Sequence, residues 1–186
     1  MHSLKSEIAQ NRPFASQAEE AILNLMRTAD CLQRAFQHAT RRWGITATQY
    51  NVLRILRGAH PEGLTCSAIG DRMITAVPDI TRLLARLKAL RLIRQHRDRN
   101  DRRIVWTRIS DAGLALLAEM DEVIASLPAE LLDQIPERDL GELIRLVELA
   151  RAKCGGPAAK PNCDGAASCE GDPAQKGEET GNTRAK

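Results

Sequence analysis

Apolar residues recur with a helical period along most of this chain and with a different period in one segment, and that segment constrains the fold more than any other feature. Up to Leu90, apolar residues recur every three or four positions, which is the spacing of a helix that buries one face. Residues 92–96 and 104–109 instead read as two strands, and the polar stretch 97–103 joins them. The helices up to Leu90 are therefore followed by a hairpin with a polar, arginine-rich tip.

Two short helices lie directly before this hairpin. Thr65 can cap a helix over 66–73, although Ala68 lacks the carboxylate of a full capping box. Pro78 suits the first position of the next helix, which runs to Leu90. Two short helices followed by a hairpin form a winged helix-turn-helix, so we predict a mainly α fold with a small two- to three-stranded antiparallel sheet. The second helix would bury Ile80, Leu83, Leu84, Leu87 and Leu90.

Longer helices flank this winged lobe, which we place at residues 46–110. Aliphatic stripes mark helices over 17–43 and 111–152. One small winged domain cannot cover stripes at both ends, and exposed stripes would aggregate. We therefore predict N- and C-terminal dimerisation helices, a homodimer, and a folded domain over 17–153.

The two ends of the chain differ in composition from this domain. Residues 1–16 are expected to be flexible, and residues 154–186 are rich in Gly, Pro, Ala and charge, which predicts a disordered tail. No apolar run approaches the ~20 residues that span a bilayer, and the first residues lack the apolar segment of a secretory signal. We expect a cytoplasmic protein with no membrane association.

Arginines concentrate in and around the hairpin. The whole chain has a formal charge of only +3, whereas residues 91–108 hold seven arginines and two aspartates, a local excess of +5. A tip with four arginines repels itself unless phosphates or counter-ions neutralise it, so the cluster suits a phosphate-rich partner. We expect Asp98 and Asp101 to brace the tip by pairing with some of its guanidinium groups, which leaves the others pointing outward.

The exposed face of the second short helix carries side chains suited to base edges. Turning 100° per residue from Ile80 leaves Arg82 opposite the apolar side, with Thr81 and Arg86 flanking it. Arg82 or Arg86 can bind guanine through two hydrogen bonds, and Thr81 can bind a base or a phosphate. Asp79, in the first turn, would favour the positive helix end and orient Arg82. The predicted DNA-contacting residues are Pro78, Thr81, Arg82, Arg86, Arg99, Arg102 and Arg103.

Two other interpretations of these residues stay open. On an isolated amphipathic helix, Arg82 and Arg86 would merely solvate the exposed face. An arginine-tipped wing could instead bind an acidic partner protein. A protein-binding wing has no need of Thr81, Arg82 and Arg86 on one helix face, so the combination favours DNA.

Four segments carry a resemblance to a known family, namely ITATQYNVLRIL, GLTCSAIGDRM, PDITRLLARL and LRLIRQHRDRNDRRIVWTRISDAG. They resemble the multiple antibiotic resistance regulator (MarR) family, and the match runs over 17–153. The resemblance implies a homodimer built from the first and last helices, a recognition helix over 78–90, and a wing whose Arg103 enters the minor groove, braced by Asp101. Arg91 departs from the family's usual glycine and leaves the geometry at that helix end open.

The resemblance also implies a ligand site. Many members of the family release DNA when a small aromatic or phenolic molecule binds between the dimer helices and the winged domain. His38, Arg41, Trp43 and Tyr50 are the candidates for such an effector pocket. The alternative is that Trp43 and Tyr50 are core aromatics and that Arg41 is a surface charge.

The five cysteines form no recognisable metal or redox motif. Some relatives sense peroxides through a cysteine near the start of the first helix, where this chain has Ile22. Cys31 and Cys66 fall on apolar stripes, where a buried thiol is usually inert. The tail cysteines lack the paired CxxC of a zinc site, and the chain has no glycine-rich phosphate loop, GxSxG or HExxH motif. We therefore expect no metal, no cofactor and no enzymatic activity.

These observations together predict a sequence-specific transcription regulator that binds double-stranded DNA. It would be a repressor whose homodimer reads a pseudo-palindromic operator and whose small-molecule effector releases it. The alternatives are a winged-helix module that binds proteins and a thiol-based, redox-responsive regulator.

Overall fold

The computed structural model describes residues 3–154 of the 186-residue chain. The disorder predicted for the tail therefore concerns residues that, apart from Cys154, lie outside the described part. In chain order the elements are α1 (Leu4–Glu7), α2 (Gln17–Thr40), a 3-10 turn (Arg41–Trp43), α3 (Ala47–Gly58), β1 (Leu64–Thr65), α4 (Cys66–Gly70), α5 (Ile80–Ala89), β2 (Ile93–Arg97), β3 (Val105–Ile109), α6 (Asp111–Leu131) and α7 (Glu137–Cys154).

The three strands form one antiparallel sheet with β3 in the centre, in the order β1-β3-β2. Ile93 of β2 pairs with Ile109, and Leu64 of the short β1 pairs with Thr107. Gly63 enters β1 at a φ of 83°, and a Cβ there would collide with the Thr107 carbonyl oxygen, so only glycine fits this turn. The predicted mainly α fold with a small antiparallel sheet is confirmed.

An aliphatic core holds the winged lobe together. Leu53 and Leu56 of α3, Ile69 of α4, Leu87 of α5 and Leu117 of α6 are fully buried, so four helices contribute to this core. Burying each such side chain contributes about 1.5 to 3 kcal/mol. Aliphatic side chains fill this core because the chain has only five aromatic residues.

The two helices of the helix-turn-helix are shorter than predicted. The first ends at Gly70 and not at Met73. The second begins at Ile80 and not at Pro78, because Asp79 takes a non-helical φ of −129° and caps the helix. In the stretch 111–152, α6 continues through Pro128 and ends at Leu131.

The end of α5 is joined to the start of α6. Arg91 adopts a left-handed φ of 59°, so an arginine here takes the backbone conformation that a glycine would favour. The Ser110 hydroxyl donates to the Arg91 carbonyl oxygen at 2.7 Å and accepts from the Gly113 amide at 3.1 Å. A Cβ at Gly113 would collide with the Leu92 carbonyl oxygen, so the backbones pack directly. The open geometry at this helix end is thereby resolved.

A four-residue helix, α1, lies within the stretch expected to be flexible. Ser3 caps it, Leu4 is buried, and Glu7 forms an ion pair with Arg27 of α2 at 3.5 Å. The prediction that residues 1–16 are flexible is therefore wrong for α1. The reason is its contact with α2, which the pattern of residues 1–16 alone does not indicate.

Apolar faces of α2 and α7 are uncovered in the single chain. Ile22 and Met26 of α2 are 58% and 65% exposed. No residue of α7 is buried, and Ile144 and Leu149 are 59% and 57% exposed. Within residues 3–154, no helix is long and apolar enough to cross a membrane.

Candidate nucleic-acid interface

One face of α5 is fixed in the core and the opposite face is free. Ile80, Leu84 and Leu87 are at most 2% exposed. Arg82 and Arg86 are exposed, and Thr81 is half-buried between the two faces. The buried side fixes the rotation of the helix about its axis, so both guanidinium groups leave the protein on the same side.

Hydrogen bonds fix the start of α5. The Asp79 carboxylate accepts the backbone N–H of Arg82 at 2.8 Å, so Asp79 caps the helix. We had predicted that Asp79 lies in the first turn, and that position is wrong. In the preceding loop, the Ile74 amide donates to the Asn51 side chain of α3 at 3.1 Å. Pro78 is exposed immediately before the cap. Asn51 was not among the predicted residues, because no local pattern links it to a residue 23 positions away.

The two carboxylates of the wing accept hydrogen bonds from backbone amides and not from guanidinium groups. Asp98 accepts the amides of Asn100 and Asp101 at 2.8 and 3.1 Å, and Asp101 accepts the amide of Arg103 at 2.9 Å. The two aspartates therefore shape the tip, but the predicted pairing with Arg97, Arg99 or Arg103 is wrong. The physical reason is that an aspartate readily bonds backbone amides two residues further on, which closes a tight turn.

The second carboxylate oxygen of Asp98 accepts the indole N–H of Trp106 at 3.0 Å. The backbone hydrogen bonds from Asn100 and Asp101, followed by the indole bond, lower the pKa of Asp98 below its ordinary value. Asp98 is thus held in its charged form. Trp106, which was not among the predicted residues, thus helps to hold the Asp98 carboxylate in place.

The arginines of the wing tip and of the α5 face are separated from those used for structure. Among residues 3–154, none of the ion pairs involves Arg82, Arg86 or the four tip arginines 97, 99, 102 and 103. Other arginines are engaged: Arg94 pairs with Asp111 at 3.1 Å, and Arg57 pairs with Asp121 at 2.8 Å. The two surfaces predicted to meet DNA thus carry arginines that form no ion pair within the described residues.

The four candidate effector-pocket residues differ in their surroundings. Tyr50 is buried in the core, and this burial raises the pKa of its hydroxyl. Trp43 is half-buried and packs against that core, with the Arg42 guanidinium 3.8 Å from the centre of its ring. His38 and Arg41 are exposed. The two aromatics thus have the packing role that we kept as the alternative, and the pocket itself stays a prediction.

The cysteine that we expected to be buried in α2 is exposed. Arg34 donates to the Cys31 sulfur at 3.5 Å and pairs with Asp30 at 2.7 Å. Cys66 is half-buried. The described residues, 3–154, contain no group of three or more His, Cys, Asp or Glu that could hold a metal ion.

Comparisons with known proteins agree with this architecture. A family model described as "MarR family" matches residues 43–104. The chain is 36% identical over 93 residues to the HTH-type transcriptional regulator TtmR of Methylorubrum extorquens. That alignment covers 50% of this chain and 47% of TtmR, so the match spans about half the length of that regulator.

Solved structures extend the similarity to about three quarters of the chain. A MarR transcription factor from Planctomyces limnophilus is 39% identical, with a TM-score of 0.58, and the match covers 74% of this chain and 99% of that one. A mutant of E. coli MarR complexed with operator DNA has a TM-score of 0.63 at 21% identity, with 73% and 99% of the two chains covered. The second of these shows the shared fold alone.

Proposed function

Because this chain belongs to the MarR family of transcription regulators, we propose that it binds double-stranded DNA sequence-specifically as a homodimer and represses transcription. A small-molecule effector releases it from its operator. The observation that carries the proposal is the pair of arginine surfaces, on α5 and on the wing tip, whose arginines form no ion pair within the described residues.

Each surface suits a different part of the duplex. The major groove admits a helix, and an arginine such as Arg82 or Arg86 binds the two acceptors of guanine there. The exposed Ala85 and Ala89 leave room for α5 to approach the base edges. The tip arginines, of which Arg103 is the candidate for insertion, fit the narrow and strongly negative minor groove. An acidic protein partner would account for the wing but not for the α5 face.

The homodimer is supported by the uncovered apolar faces of α2 and α7. A helix with no buried residue, such as α7, gains its stability from packing that the single chain does not supply. A second copy related by a two-fold axis covers both helices at once. The two α5 helices would then lie about one DNA turn apart and read a pseudo-palindromic site.

The effector class comes from the family resemblance: a small aromatic or phenolic molecule. Its proposed site is beside the junction of α2 and α3, near His38, Arg41, Trp43 and Tyr50. The exposed His38 and Arg41 supply polar groups next to the half-buried Trp43. A regulator of this kind acts in the cytoplasm, where the DNA is.

The test is binding to a labelled duplex from the region upstream of the protein's own gene, against a scrambled duplex of equal length and composition, at rising salt. We expect tighter binding to the upstream duplex and a linear fall of log K with log salt. Equal binding to both duplexes at every salt concentration would reject sequence-specific recognition. Analytical ultracentrifugation of the free protein tests the dimer, and a monomer at micromolar concentration would reject it.

A further inference from the structure

Trp106 connects the sheet to the wing tip. It is the second residue of β3, and its cross-strand partner is His96 of β2. Its indole reaches past the end of β2 and donates to the Oδ2 atom of Asp98 at 3.0 Å. Trp106 and Asp98 are both half-buried, whereas residues 99–103 are all exposed. The tip therefore has no apolar core of its own.

The two oxygens of Asp98 have separate tasks. Oδ1 accepts the amides of Asn100 and Asp101, at 2.8 and 3.1 Å, and closes the turn. Oδ2 accepts the indole, which stops the carboxylate from rotating and exchanging its oxygens. At an exposed turn, water competes for both amides, so a carboxylate held in one orientation closes the turn more often than a rotating one.

We propose that Trp106 is a positioning residue for DNA binding: its indole N–H holds Asp98 in the orientation that closes the turn and thereby directs the tip arginines. The inference rests on the proposed function, because it assigns the wing a DNA contact. Arg99, Arg102 and Arg103 have no ion pair among the described residues, so the backbone of the turn determines where their side chains begin. An ordered turn lowers the entropy that these arginines lose when they bind the duplex.

The experiment compares W106F, which keeps an aromatic ring but lacks the donor, with W106L, which lacks both. We expect both variants to bind the upstream duplex about three- to tenfold more weakly, which is the effect of losing one typical intramolecular hydrogen bond. The midpoint of thermal unfolding should stay close to that of the wild type. Full affinity in W106F with a loss only in W106L would mean that ring packing matters and would overturn the proposal.

A double-mutant cycle separates positioning from a general effect. D98N keeps one oxygen for the backbone amides and replaces the oxygen that faces the indole with an amide group. W106F should therefore weaken binding in the wild-type background and have no further effect in the D98N background. Additive losses would show that the two residues act independently and would overturn the proposal.

A measurement without DNA keeps the inference distinguishable from the proposed function. The chain has two tryptophans, so its two indole N–H resonances can be assigned with W106F. D98N should shift the Trp106 resonance, and D133N, at an exposed acid between α6 and α7, should not. In W106F the amides of Asn100 and Asp101 should exchange faster. If the wild type fails to bind DNA, the proposed function fails, while unchanged amide exchange would independently reject the positioning role.

Discussion

The α5 face and the wing tip both present unpaired arginines, but different forces hold them. Leu84 and Leu87 fix α5 in the core, so its arginines keep their direction as long as the lobe is folded. The tip is held by hydrogen bonds to Asp98 and Asp101 at exposed positions. The difference teaches that the helix can be disturbed only by disturbing the fold, whereas the tip can loosen while the fold stays intact.

The largest effect is expected from removing a buried side chain that packs α5 against the core. Leu87→Ala leaves a cavity in a fully buried position and should lower the free energy of unfolding by about 2 to 5 kcal/mol. Leu90→Ala is the matched control, because Leu90 lies at the end of the same helix and is 50% exposed. Urea denaturation measures both. Equal losses for the two variants would refute the view that burial holds this helix.

The next effect separates the two surfaces by what they recognise. Arg82→Ala should cost about 1 to 3 kcal/mol of binding and relax the preference at one base position. Arg103→Ala should weaken binding to all duplexes and reduce the slope of log K against log salt. Titrations with single-base variants of the duplex, at several salt concentrations, measure both. The comparison fails if both variants lose affinity without any change in base preference.

A smaller effect tests whether a hydrogen-bonded carboxylate also matters for α5. Asp79→Ala removes the cap on the Arg82 amide and should lower the free energy of unfolding by about 0.5 to 2 kcal/mol. Asp71→Ala is the control, since this exposed acid ends α4 through its backbone. Thermal unfolding of both variants gives the difference. No difference between them would mean that the core alone fixes the start of the helix.

The smallest effect lies where α5 passes into the sheet. Arg91→Gly relieves a left-handed residue of its Cβ and should raise the free energy of unfolding by about 0.5 to 1 kcal/mol, net of the extra flexibility of glycine. Lys88→Gly, three residues earlier in α5, should lower it by about 1 kcal/mol. Opposite signs at these two positions, one inside α5 and one just after it, are the expected result in urea denaturation, and a loss in both variants would contradict it.

The elements were predictable where burial determines them. The stripe that ends at Leu90 predicted α5, because a helix that packs on a core must place apolar residues at this spacing. The bounds were less predictable, since Asp79 forms a cap only when the chain before it is extended. Leu4 is buried against a helix that lies elsewhere in the sequence, so nothing in residues 1–16 alone indicated α1.

The charged residues of the candidate site were predictable from the sequence, whereas the residues that hold them in place were less so. Arg82 and Arg86 follow from helical periodicity, and the tip arginines follow from composition. The contacts of Asn51 and Trp106 depend on how α3 and β3 lie beside a loop, which local patterns do not report. The turn at Asp98 did carry a signal, because an aspartate between polar residues is typical of a turn closed by a side-chain bond to the backbone amide two residues further on.

Ser110 is the single residue between the end of β3 and the start of α6, and it also holds the end of α5 through the Arg91 carbonyl oxygen. β3, the turn after α5 and the start of α6 therefore meet at one residue. No linker separates β3 from α6, so a rotation of α6 at Ser110 would act directly on β3 and on the turn that follows α5.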